Sequence, residues 1–363
     1  MTMLSTAPAT QLPGARAGSR RGALSGLAAT WRRLPVTAKA GAFLLLFFIL
    51  AGIIGPQVAP YAPSLQTPLA NQGPSGAHLL GTTATGQDVL SQLLTGIRLT
   101  LELAFWVGLI ATGLAVIFGV TAAFLGGIWD EVLSLLTNVF LVIPALPLLI
   151  LLLGLMPGKG QLPTILVLSG LGWPWGARVI RAQTLMIRNR DFIAAARETG
   201  EHSWRIIVFE LIPNEVSLIA ASFVNTVLYA IGASVALAFV GLADLSSFSL
   251  GTILYWAQSG NALQQSYWWW FVPPGVAVAL IGTALVMLNT GIDELGNPRL
   301  RDVRNATRIA GRRVWPTDPT PVVGAVNGHR GRLASFMHSF SRGSLLEEEP
   351  ADQAPVKKAG EVR

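Results

Sequence analysis

A carboxylate held at membrane depth is the chemistry of proton and ion coupling, and this chain has one candidate inside a long apolar run, Glu102. Such a group costs about 2.5–3.5 kcal/mol on insertion scales. The other carboxylates beside apolar runs, Asp130, Glu131, Glu215, Asp244, Asp293 and Glu294, fall at the expected ends of those runs. Glu102 reads as about one turn from the outer boundary. A snorkelling or pore-edge role accounts for it there, with Glu102→Gln leaving transport nearly unchanged. Phosphate chemistry has no better footing. Gly154 to Gly160 lacks the spacing of a phosphate loop, and Lys159 is not followed by Ser or Thr. With no cysteine there is no disulfide framework, thiolate metal site or cysteine nucleophile. No catalytic, metal-ligating or cofactor-binding residue is expected, and the chain does not read as an enzyme.

The polar stretch RDFIAAARETGEHSWRIIVFELIPN, Arg190 to Asn214, lies between two long apolar segments and so belongs in water beside a membrane. Asp191 can cap a short helix through Phe192, Ala195, Ala196 and Thr199 by accepting from its free first-turn amides. Gly200 tolerates φ > 0 and ends that helix. Ser203 can cap a second short helix, and Pro213 marks where the next membrane helix begins. The product is a compact knob whose alanines let another surface approach closely. It is either an ordinary connection with two helical turns or a helix that docks into a groove.

The elements that hold this knob are apolar. Of 363 residues, 52% are hydrophobic and 12% charged, too apolar for a soluble domain, and the apolar residues come in blocks long enough to cross a bilayer. Six spans are expected, at about 41–58, 99–125, 132–156, 162–187, 215–241 and 269–293, with 188–214 as the loop carrying the knob. A basic leader before residue 41 resembles a signal peptide in order, but leader and apolar run are both too long for one. Gly126 to Asp130 makes a tight turn between two spans, and Asp88 reads as the N-cap of a helix containing Leu90, Leu93 and Leu94. Trp268, Trp269 and Trp270 read as an aromatic belt at the membrane interface. Residues 1–38 and 302–363 lack hydrophobic periodicity and read as disordered arms flanking a membrane domain at 39–301.

The net charge of +7 points to topology, with no nucleic-acid partner implied. Of 26 Lys and Arg, 6 fall in residues 1–39, 6 in 176–213 and 12 in 297–363, leaving Arg98 and Lys159. The positive-inside rule then puts both termini and the knob in the cytoplasm.

Ala195-Ala196, Gly200 four residues on, and Ile212-Pro213 resemble the EAA loop of ABC-importer permeases. Ala194 stands where that family has glutamate. HLLGTTATGQDVLSQLLTGIRLTL, with Gly81, Thr82, Gly86, Asp88 and Arg98 in family positions, is similar to the stretch before the second helix of dipeptide and oligopeptide permeases. GWPWGARVIR and the closing Pro-Arg-Leu-Arg to Arg301 are similar too. The resemblance implies a type I ABC importer permease, an all-α inner-membrane protein with six transmembrane helices. It further implies a homologous second permease, an extracytoplasmic solute-binding protein, and ATPase subunits that hold ATP and Mg. The loop carrying Asp191, Ala194, Ala195, Ala196, Arg197, Gly200 and Pro213 would be the coupling helix. The cargo would be di- or oligopeptides. Asn138, Asn225 and Asn289 would either line the path or bond helix to helix. The alternatives are a secondary transporter or channel not driven by ATP, for which Glu102 is thin support, and a membrane scaffold, which leaves the family-like stretches unexplained.

Overall fold

A computed structural model describes residues 34–156 and 160–296, all within the first of two units, Met1–Pro298. Residues 1–33, Lys159, the Pro-Arg-Leu-Arg signature and the tail lie outside the described residues. Among the described residues the only regular elements are helices, beside one isolated bridge between Thr82 and Asp88.

Helix α1, Val36–Val58, is apolar from Ala40 to Pro56 and shows Phe43, Phe47, Leu50 and Ile54 outward, as a lipid-facing helix does. Helix α2, Val89–Leu125, opens at the expected Asp88 cap, ten residues ahead of the span expected at 99–125. Its 37 residues extend about 55 Å, well beyond the bilayer core, so it tilts or protrudes. Against it lies α5, Gln161–Ile187. The contact is built from small residues: Ala111, Ala115 and Gly119 on α2 face Gly172, Gly176 and Ala177 on α5. A Cβ on Gly119 would stand 2.7 Å from the Ala177 carbonyl oxygen. Without water to squeeze out, close backbone approach of this kind is what joins helices in lipid.

The expected span at 132–156 is not one helix. It breaks into α3, Gly127–Val142, and α4, Ala145–Leu155, bent by 91°. Ile143, preceding Pro144, is driven into the extended region (ψ 128°), which a steric clash with the proline ring requires. A continuous apolar run hides such a break. By length and composition four helices suffice to cross a membrane, or five if the bent pair is one span. Helix α5 is long enough at 27 residues but less apolar, with Trp-Pro-Trp and two arginines in its second half. The count of six therefore does not follow from apolarity alone.

The knob follows as α6, Asp191–Glu198, and then α7, Ser203–Phe239, which runs on without interruption. Helix α8, Leu250–Ser259, was not foreseen. It is ten residues long, about half a bilayer core, and Ser249 caps it by accepting from Thr252 N–H. Helix α9, Trp268–Gly296, closes the bundle against α1 and α7. The three tryptophans at its start do not form a belt. Trp270 is buried, Trp269 packs on Gly81 and donates to the Thr82 carbonyl at 3.3 Å, and only Trp268 is half exposed.

Candidate functional site

In the knob, the backbone of Arg190 is extended and α6 starts at Asp191. Asp191 is thus the first helical residue and makes no side-chain cap; its carboxylate stands in the first turn, where it still favours the positive end of the helix dipole. Ser203 likewise opens α7 without capping it, the N-cap being His202. Both expected caps are corrected by one residue. The turn is as expected: Gly200 has φ 79°, its N–H bonds the Arg197 carbonyl at 3.0 Å, and Glu201 N–H bonds that of Ala196 at 3.1 Å. These two bonds close the end of α6.

The second short helix is not separate from the span after it. Ile207–Leu211 is a π-turn, with Ile212 N–H reaching back to the Ile207 carbonyl, and it leads directly into the helix containing Pro213. A proline removes one amide and crowds the carbonyl four residues back, here Phe209; a wide turn at that point relieves the clash.

Only Ile193 of α6 is fully buried, joining Ile180, Phe124, Ile206 and Leu211 in one apolar cluster. Ala196 is half-buried beside them, while Ala194, Ala195, Arg197 and Gly200 are exposed. Burying one such side chain is worth about 1.5–3 kcal/mol, so α6 is fixed mainly by a single anchor. Arg197 adds a contact, its guanidinium 4.9 Å over the Phe124 ring. Apolar groups remain in the open: Phe192 is 41% exposed, Trp204 63% and Phe209 60%, the last two in edge-on contact. Exposed aromatics on an otherwise polar knob are groups that a docking surface presents.

Beneath the knob lie two polar contacts that sequence reasoning missed. Arg181 holds Asp130 through two bonds of 2.6 and 2.7 Å, tying α5 to α3. Glu215, 1% exposed, accepts from Thr184 at 2.8 Å and leaves its second oxygen without a partner among the described residues. The signal available was that Asp130 and Arg181 both mark span ends on the same side; nothing local revealed Thr184 and Glu215, 31 residues apart.

The other expected residues lie elsewhere. Gly81, Thr82, Gly86 and Asp88 build the loop before α2, at the far end of that helix from the knob. Asp88 is buried and accepts from Ser91 N–H and Oγ at 2.8 and 2.7 Å, with His78 Nδ1 at 2.9 Å on its other oxygen. Asn225 and Asn289 meet across α7 and α9 at 3.5 Å, a long contact. Asn138 is apart from them, in a cavity of about 150 Å³ that also holds Arg178 and Arg181.

The chain's relatives agree with one another. Residues 115–302 match the family described as "Binding-protein-dependent transport system inner membrane component". The dipeptide transport system permease protein DppC of Bacillus subtilis is 33% identical over 288 residues, 78% of this chain and 88% of that protein. The oligopeptide transport system permease protein OppC of Mycobacterium bovis is 32% identical over 270 residues, 74% of this chain and 91% of that one. A solved structure titled as inward-facing conformations of the MetNI methionine ABC transporter overlays at a TM-score of 0.40 and 22% identity, covering 60% of this chain and 97% of that one; this overlay is too loose to carry an argument. On the family match and these relatives, the chain belongs to the inner-membrane components of binding-protein-dependent transport systems.

Proposed function

We propose that this chain is a permease subunit of an ATP-driven importer of di- or oligopeptides. A separate ATPase docks on the knob, a homologous permease completes the path, and an external binding protein delivers the cargo. The observation that carries the reading is the exposure of Phe192 on the lightly anchored α6 and of the Trp204–Phe209 pair at the start of α7, in a chain that has no phosphate loop. Family membership and the names of the DppC and OppC relatives support the cargo class. Closing of the ATPase would pull the knob, and the continuous helix from Ser203 to Phe239 would carry that pull into the membrane. ATP and Mg stay on the ATPase.

Ala195 is exposed on α6, so a large charge there spares the fold but obstructs a partner. Ala195→Arg should abolish ATPase co-purification and peptide uptake while the permease still inserts, with Glu201→Gln as the control. Normal co-purification and uptake in Ala195→Arg would sink the coupling role.

A further inference from the structure

A groove of about 510 Å³ opens between α1, α2, α7 and α9, walled by Ile49, Phe105, Phe223 and Leu288. That is within the range of about 300–1,000 Å³ typical of ligand pockets. Two charges line it, Arg98 and Glu102. Both side chains are exposed, and neither is in an ion pair or hydrogen bond with the described residues. Helix α2 places Glu102 on its fourth turn, about 20 Å past Asp88. A Cβ on Gly52 would stand 3.2 Å from the Arg98 Cα, which sets Arg98 about 9 Å inside the nearer end of α1 and Glu102 about 6 Å deeper. Ionisable groups at that depth are retained for a partner.

The two do not supply that partner to each other, and an acid four residues after a base is the poorer order for a helical pair. A phospholipid headgroup has the wrong polarity. Its phosphate lies closer to the acyl chains than its ammonium does, whereas here the cation lies nearer the membrane surface and the anion deeper. A short peptide with free ends fits. Its termini stand about 7 Å apart when two residues are extended, close to the one-turn separation of Arg98 and Glu102. Its side chains match the apolar walls.

We propose that Arg98 and Glu102 form a zwitterion-reading station in this groove, Arg98 binding the terminal carboxylate of a short peptide and Glu102 its terminal ammonium. This rests on the peptide-importer reading. The assembled transporter is tested in proteoliposomes for uptake of labelled alanyl-phenylalanine. Arg98→Gln and Glu102→Gln should each cut uptake about tenfold or more, as loss of a charge-assisted bond predicts, while ATPase co-purification stays normal. On the unaltered complex without binding protein, in nanodiscs, N-acetylated and C-amidated alanyl-phenylalanine should each compete for the labelled peptide about tenfold less well than the free form. Equal competition by the blocked peptides overturns the station, as does normal uptake in both variants. So does recovery of uptake in the exchanged pair Arg98→Glu with Glu102→Arg, which would mark an intrahelical pair. Failure of the unaltered assembly to take up the peptide at all would overturn the importer reading itself, and the station with it.

Discussion

The two ends of the bundle are built in opposite ways. At the end where α2 begins, the loop over residues 59–88 is stitched to itself and to the helices. Thr67 N–H bonds Gly86, Asn71 N–H bonds Thr83 and Thr82 N–H bonds Gln72, all at 2.9–3.1 Å, and Asp88 spends both oxygens on His78 and Ser91. At the end where α2 stops, α6 has no side-chain cap, a single buried anchor and an exposed Phe192, with Trp204 and Phe209 exposed on the start of α7. Buried hydrogen-bond networks rigidify; segments with few buried apolar contacts open at low free-energy cost. One end is built to hold its shape, and the other is held by little of its own.

The sharpest way to break this comparison is to ask which end faces out. Single cysteines at exposed Ser75 and Asn261 should label fully with a membrane-impermeant thiol reagent applied outside intact cells, and one at Glu201 should not. The reverse pattern would put the rigid end inside and remove the knob from any cytoplasmic ATPase.

The rigid end should be costly to disturb. Asp88→Ala removes the cap and leaves Ser91 and His78 buried without their partner, for a loss of about 2–3 kcal/mol. Ser203→Ala, at the knob, removes no cap and should stay within about 0.5 kcal/mol. Thermal unfolding of the detergent-solubilised permease measures both, and equal losses would erase the contrast.

A local loss of stability in the knob should have a large effect on transport. A Cβ at Gly200 meets nothing within 4 Å, so only its φ of 79° objects to a side chain. Gly200→Val should cost about 1–3 kcal/mol of local strain, confined to the knob. Insertion and helical content by circular dichroism should be unchanged, with peptide uptake lost. Normal uptake would show that the reversal at Gly200 is dispensable.

How much of this was legible depends on distance along the chain. The Asp88 cap, the Gly200 turn and the long apolar helices each rest on residues within a few positions of one another, and sequence reasoning found them. It misplaced the knob's caps by one residue, since Asp191 and Ser203 are equally good first-turn residues and only backbone angles separate the two. It ran through the bend at Ile143-Pro144, because prolines are common in membrane helices and α5 and α9 keep theirs without breaking. It also missed α8, too short to span and bounded by turns.

What the chain determined by itself was its class: apolar blocks of spanning length, basic residues gathered at three places, and a polar knob closed by a glycine. What only the tertiary structure decided was which side chains share a space. Trp270 is buried because α8 and the loop before α2 close over it, so the last residue of a triplet that reads as a belt becomes core. Glu215 finds Thr184, Asp130 finds Arg181, and Arg98 with Glu102 comes to line a groove whose other walls belong to three further helices. Capping and turn preferences act through bonds made inside one turn, whereas these contacts depend on how the helices cross, which the small-residue seams between them set in lipid.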